Sequence, residues 1–352
     1  MRIQTQILKI DPQQPQEAII EQAAQAILSG ELVAFPTETV YGLGANALNP
    51  QAVQRIFQAK GRPSADPLIV HIADKEELPF VAREVPQIAW KLAERFWPGP
   101  LTLVLPKAEK IAPEITAGLY TVAVRVPSHA VALALLKQSA VPIAAPSANR
   151  FGHTSPTTAQ HVYDDLAGEV NLILDGGATT VGVESTVLDI TQDPPKILRP
   201  GGVTLEQLRL VLGEVELNSS APSTNTPAAM PSPGMLDKHY APRAKLLFFT
   251  NADTAQALSE MLKIARTASE QKQRVGVMVI EEERPIFANL EVSVFSLGSG
   301  KNLEQAAARL YEGMRALDQA GVELILVRDL GEEGLGLAIR DRLKRAASQI
   351  IS

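Results

Sequence analysis

Residues 218–234, NSSAPSTNTPAAMPSPG, hold no charge, no apolar periodicity, four prolines and four serines. Proline lacks a backbone donor and fixes φ, so a stretch like this carries neither a helix nor a central strand. It reads as an extended, semi-stiff linker. It divides a chain of 352 residues, more than one ordinary core accommodates, into two unequal parts. The predicted organisation is a domain over residues 1–212, a linker or lid over 213–242 and a second domain over 243–352.

Hydrophobic periodicity fills in both parts. In the first, helices are predicted at 16–29 (closed by Gly30), 50–59, 86–96, 128–139, 157–166 and 204–212. Strands are predicted at Leu32–Phe35, Leu68–Ile72, Leu101–Leu105, Thr121–Val126, Pro142–Ala145, Leu172–Leu174, Ser185–Ile190 and Lys196–Leu198. Several strands follow one another without a helix, which excludes a purely parallel sheet and predicts a twisted, mixed α/β sheet. In the second part, strands at Lys245–Phe249, Val275–Ile280, Val292–Phe295 and Glu323–Val327 alternate with helices at 253–269, 302–319 and 335–350. That alternation predicts a smaller, Rossmann-like α/β domain.

Composition narrows the function classes. Hydrophobic residues at 45% and charged residues at 20% describe an ordinary globular chain, not a disordered one. The net charge of −6 gives no overall attraction to nucleic acid. The absence of cysteine removes disulfides, thiolate zinc sites and cysteine nucleophiles together. No secretory apolar run and no stretch of ~20 apolar residues is present, so the expectation is a cytoplasmic protein without membrane contact.

No GxxxxGK[ST] phosphate loop, HExxH pair or Ser-His-Asp order occurs. A GxGxxA pattern at Gly42, Gly44 and Ala47 is a weak dinucleotide signal, because the next helix starts only near Asn49 or Pro50; turn glycines are the plainer reading. Small polar groups cluster after buried strands instead. Thr37-Glu38-Thr39 follow one, and Ser147, Asn149, Thr154 and Ser155 follow another. They suit ligand oxygens, and equally turns and helix caps. Lys60-Gly61-Arg62 offers two cations on a glycine turn, suited to one anion or to a solvated surface. Asp66 and His71 follow. Arg125 stands in an apolar strand, which marks either an edge strand or a charge kept for a ligand carboxylate. Arg199 is a third candidate anion ligand. Together these groups point to an anionic ligand with a large polar outline, handled by positioning and charge stabilisation.

The ordered set PTETVYGLG, KGRP, DPLIVHI, WPGPLTLVL, VAVRVP, APSAN, TSPT, ESTV and LRPGG resembles the YrdC-like family over about residues 15–205. The segment SPGM…HYAP and the second α/β domain are similar to its long form, the threonylcarbamoyl-AMP synthases. The resemblance implies synthesis of threonylcarbamoyl-AMP and pyrophosphate from L-threonine, bicarbonate and ATP, with Mg²⁺ accompanying ATP. A downstream tRNA threonylcarbamoyl transferase would then modify an adenosine beside the anticodon, without requiring direct tRNA binding here. Carried over by motif position, Thr39, His71, Arg125, the Ala145 backbone and Ser185 would contact threonine. Arg62, Asp66, Thr121, Ser147, Asn149, Ser155, Arg199 and Tyr240 would contact ATP. Lys60 and Arg62 would carry the catalytic charge, and Tyr240 would end a lid. No metal ligand is assigned. Asp66 departs from the family's usual Asn; a carboxylate donates no hydrogen bond when ionised and repels phosphate.

Three rival readings are an RNA-binding module, a nucleotide sensor without turnover, and carbamoyl transfer of the hydrogenase-maturation kind. The last resembles a longer chain with cysteine-bearing zinc fingers, for which this sequence has neither cysteine nor room.

Overall fold

A computed structural model describes residues 3–218, 230, 240–251 and 253–352. They fall into two compact units. One comprises Met1–Phe151 and Ser155–Asp237; the other comprises Gly152–Thr154 and Lys238–Ser352. The segments 219–229 and 231–239, with the SPGM motif and His239, lie outside the described residues.

The first unit is built on β1 (Gln6–Lys9), β2 (Val33–Phe35), β3 (Gly42–Asn46), β4 (Ile69–His71), β5 (Leu101–Pro106), β6 (Thr121–Arg125), β7 (Ile143–Ala144), β8 (Leu172–Asp175), β9 (Thr186–Asp189), β10 (Lys196–Arg199) and β11 (Glu216–Leu217). Among the described residues they form one sheet in the order β1-β8-β2-β3-β7-β4-β6-β5-β9-β10-β11. Pairs such as β4/β6 and β5/β9 are parallel, whereas β2/β3 and β5/β6 are antiparallel. This is the mixed sheet that strands without intervening helices require.

Two apolar clusters bury the sheet. Ile20, Ala23, Ile27, Val131 and Leu135, from helices Glu17–Leu28 and Ala130–Ser139, close one of them over Val33, Phe35 and Leu174. The larger gathers Leu43, Ile56, Val70, Leu103, Val124 and Leu188. Side chains alternate along a strand, so Val122 and Val124 enter this core while Thr121, Ala123 and Arg125 point to the other face.

The second unit is a parallel sheet of β12 (Lys245–Phe249), β13 (Val275–Val279), β14 (Val292–Ser296), β15 (Leu324–Arg328) and β16 (Gln349–Ile351), in the order β14-β13-β15-β12-β16. It is the Rossmann-like alternation read from the sequence, with one correction. The final helix runs only over Gly336–Ala346, not 335–350, and Gln349–Ile351 pair with β12 instead. Residues 347–351 fit an apolar helical end or a short strand by pattern alone. The unpaired edge of β12 decides, because Ser348 N–H donates to the Leu246 carbonyl at 2.9 Å and the ladder follows.

Three further strands were not legible in the sequence, Gln6–Lys9, Gly42–Asn46 and Glu216–Leu217. The glycines of Gly42–Asn46 are not turn residues. A Cβ on Gly44 would lie 2.7 Å from Phe35 Cε1 and 2.9 Å from Ile143 Cγ2. Glycine is required there because two neighbouring strands' side chains fill the space over the backbone, not because a phosphate approaches it.

Candidate active site

The basic turn is shaped by its helix. Pro50 starts helix Pro50–Lys60, and the Asn49 side chain accepts from Gln51 and Ala52 N–H. Gly61 ends it with φ 63°, and Arg62 N–H closes back on the Phe57 carbonyl at 3.0 Å. Lys60 and Arg62 are thereby turned into the protein; both are buried, at 3% and 7% exposure. Lys60 Nζ donates to the Ser147 and Asn149 carbonyls, each at 2.6 Å. Burial first, and then the Arg62 charge, push its pKa well below the ordinary lysine value. Lys60 thus holds the Ser147–Asn149 turn. Arg62 pairs with the Asp66 carboxylate at 3.0 Å and donates to the Asp66 and Pro67 carbonyls. The carboxylate at position 66 therefore meets a guanidinium within its own loop.

Arg125 is not on an edge. Its strand β6 lies between β4 and β5, and the side chain is 4% exposed. Its Nη2 donates to Glu38 Oε1 at 2.6 Å, Nη1 to Thr39 Oγ1 at 3.0 Å and Nε to the Gly99 carbonyl at 3.2 Å. Among the described residues those bonds engage three of the five guanidinium N–H groups and leave two. The second Glu38 oxygen accepts from Ser128 N–H, so the carboxylate is fixed from both sides. Beside Arg125, in register on β4, stands His71. Burial, reinforced by the Arg125 charge, lowers its pKa to about 3, so the imidazole is neutral. Among the described residues its buried Nδ1 meets no hydrogen-bond partner.

Across β5, Ser185 Oγ lies 2.7 Å from Thr102 Oγ1, and Arg199 donates to the Ser185 carbonyl and hydroxyl. Ser155 Oγ donates to Glu184 Oε1 at 2.6 Å. Main-chain bonds join these groups. Val181 and Gly182 N–H donate to the Glu38 and Thr39 carbonyls, Tyr41 N–H to that of Pro156, Ala148 N–H to that of Tyr41, and Ala145 N–H to that of Ile69. One network therefore runs through Thr39, Arg125, Ser185, Arg199, Ser155, Ser147, Asn149 and Lys60.

Thr121 is outside that network. It begins β6, roughly 13 Å from Arg125 at ~3.3 Å per residue. Between them Ile69, Val104, Ala123, Val187 and Leu198 form an apolar floor, against which Met230 packs. The face is polar at both ends and apolar between, suited to an elongated ligand. Tyr240 belongs to the other unit, where it is 1% exposed and stacked on Tyr311 at 5.7 Å between ring centroids.

Comparison with known proteins decides the family. The family described as "Telomere recombination" matches residues 25–201, and the one described as "Threonylcarbamoyl-AMP synthase, C-terminal domain" matches residues 203–348. The threonylcarbamoyl-AMP synthase of Pyrococcus abyssi is 48% identical over 92% of this chain and 93% of its own length. That of Bacillus subtilis is 46% identical over 93% and 92%. The chain belongs to the family of two-domain threonylcarbamoyl-AMP synthases. The crystal structure of P. abyssi Sua5 complexed with L-threonine superposes with a TM-score of 0.90 at 45% identity, covering 98% of this chain and 99% of that one. As a member of the threonylcarbamoyl-AMP synthase family, the chain is an enzyme with a mixed-sheet unit followed by a parallel-sheet unit.

Sequence reasoning missed three partners within this synthase fold: Glu38 for Arg125, Glu184 for Ser155 and Thr102 for Ser185. A signal existed for the first, since a lone arginine in an apolar strand demands a counter-charge and Glu38 is the acid within the PTETVYGLG motif. Among the described residues no group of three or more His, Asp or Glu side chains is placed to hold a metal, and no helix is long and apolar enough to cross a membrane.

Proposed function

We propose that this chain makes threonylcarbamoyl-AMP from L-threonine, bicarbonate and ATP, releasing pyrophosphate, and so acts as a nucleotidyltransferase. The observation that carries the reading is the network joining Arg125, Thr39 and Ser185 to Ser147, Asn149, Ser155 and Arg199. Arg125, beside a neutral His71, would serve as the cation for a carboxylate, and the latter set would suit a nucleotide.

Threonine's carboxylate would take the two remaining Arg125 donors. His71, kept neutral, offers hydrogen bonds near the amine without adding a second cation. Thr39, Ser185 and the Ala145 backbone would complete the contacts. The amine would attack the bicarbonate carbon, losing water to give a carbamate. A carbamate oxygen would then attack the α-phosphorus, and the bond to the β-phosphate oxygen breaks with release of pyrophosphate. Arg62 and Arg199 would offset the mutual repulsion of these anions. Lys60 would act through the carbonyls of Ser147 and Asn149, fixing the turn that meets the nucleotide. Asp66 and Thr121 are the remaining proposed nucleotide contacts on this unit. Mg²⁺ would accompany ATP and neutralise phosphate charge, a cation that needs few protein carboxylates when substrate phosphates hold it.

The product would pass in the cytoplasm to a tRNA threonylcarbamoyl transferase, for modification of an adenosine beside the anticodon. The test is pyrophosphate release from ATP with bicarbonate, Mg²⁺ and each amino acid in turn. Release dependent on both threonine and bicarbonate supports the proposal. ATP binding without release under any amino acid refutes it and leaves a nucleotide sensor.

A further inference from the structure

Within residues 1–237 the chain leaves its first unit for three residues only. Phe151 and Ser155 belong to the mixed-sheet unit, while Gly152–Thr154 between them belong to the parallel-sheet unit. Their anchors there are specific. His153 forms a parallel bridge with Ala241, and Ala241 N–H donates to the Gly152 carbonyl at 2.9 Å. Arg315, on helix Leu303–Gln319, donates through Nη2 to the Thr154 carbonyl. Thr154 Oγ1 reaches the Tyr240 carbonyl at 3.4 Å.

Tyr240 is itself clamped. Its φ of 66° is in the left-handed region, which a bulky side chain occupies only when its surroundings hold it. The clamp is the Tyr311 ring on one side and, 5.2 Å from the Tyr240 centroid, the Arg342 guanidinium. Arg342 is fully buried and bonds Asp341 at 2.6 Å. Two helices of the second unit thus fix Tyr240 and Thr154 together.

The three captured residues lie in the chain between Asn149 and Ser155, both buried and both in the proposed nucleotide set. We infer that the parallel-sheet unit serves the reaction by holding this loop, and that Arg315 and Arg342 are positioning residues for ATP. Covalent continuity carries the effect, since a loop released at Thr154 frees Ser155 next to it to leave Glu184. The inference rests on the proposed synthase reading and assigns the second unit a part in it.

The test uses the full chain with Arg315→Ala, Arg315→Lys and, as a control on the same helix, Glu312→Ala. Calorimetric affinities for a non-hydrolysable ATP analogue and for L-threonine are measured separately, with pyrophosphate release and hydrogen exchange over residues 150–156. Arg315→Ala is expected to weaken the analogue at least tenfold, raise KM for ATP and speed exchange of this segment, with threonine affinity within twofold of wild type. Arg315→Lys, which still donates to the carbonyl, recovers most of the loss, and Glu312→Ala changes nothing. Arg342→Met is expected to reproduce the ATP defect. Unchanged analogue affinity in Arg315→Ala overturns the inference, as does equal loss of ATP and threonine binding, the mark of general unfolding. A wild-type chain that binds the analogue through Arg315 yet releases no pyrophosphate overturns the reaction and keeps the coupling. A wild-type chain that binds no analogue overturns both.

Discussion

Glu38 and Arg125 form the ion pair on which the proposed threonine site depends, and removing either one alone leaves a buried charge. Both side chains are nearly inaccessible, at 9% and 4%, and their contact is 2.6 Å. Breaking a buried pair from one side costs about 3–5 kcal/mol. In Glu38→Ala the guanidinium keeps Thr39 and the Gly99 carbonyl as acceptors, which places the loss at the lower end, about 3 kcal/mol. For a unit of this size that corresponds to a melting temperature lower by about 6–12 °C. Arg125→Met strands the Glu38 carboxylate and should cost a similar amount. The double variant removes both charges, so its loss should fall short of the sum of the singles by at least about 1.5 kcal/mol. Denaturant unfolding of the four proteins in the absence of threonine measures that coupling directly. Calorimetry then separates ligand from scaffold. Arg125→Met should abolish threonine binding, while Glu38→Gln, which keeps the shape but loosens the guanidinium, should weaken it about tenfold. Additive losses within 0.5 kcal/mol would refute the pairing argument. Wild-type threonine affinity in Arg125→Met would refute the ligand role.

Gly44→Ala should destabilise by about 1–3 kcal/mol, read by denaturant melts, because its Cβ meets Phe35 and Ile143 below van der Waals distance; a neutral effect would show that the strand β3 shifts freely. Lys60→Ala should eliminate pyrophosphate release and also cost about 2 kcal/mol of stability, since two buried carbonyls lose their donor; full release by this variant would exclude it from the site. His71 has a folded pKa of about 3 against about 6.5 when unfolded. The unfolded chain therefore binds the proton first, and the contribution is full above pH 6.5 and lost as pH falls towards 3. Relative to His71→Gln, the wild type should lose about 2 kcal/mol between pH 7 and pH 5; a pH-independent difference would mean that folding leaves the titration of the imidazole unchanged, and a gain would mean that the fold holds it charged.

Much of this protein was legible in the sequence. The strands at Leu101–Pro106, Thr121–Arg125 and Lys245–Phe249 and the helices at Pro50–Lys60 and Leu303–Gln319 follow from local periodicity and caps, which neighbouring residues decide among themselves. The mixed character of the first sheet followed from consecutive strands, and the family from the order of short motifs. Which strand neighbours which is a long-range matter. Gly44 reads as a turn residue until Phe35 and Ile143 are seen above it, and Gln349–Ile351 read as helix until β12 offers an open edge. Charge pairing obeys the same division. Sequence showed that Arg125 needed a partner, but Glu38 is 87 residues away, and only folding brings them together. Arg62 finds its counter-ion Asp66 within one loop, whereas Lys60 turns to carbonyls of another segment. Residue type and local pattern named the candidate groups for the chemistry; burial and long-range packing decided which are charged and which are paired, because desolvation and hydrogen bonding act between atoms that the chain order keeps apart.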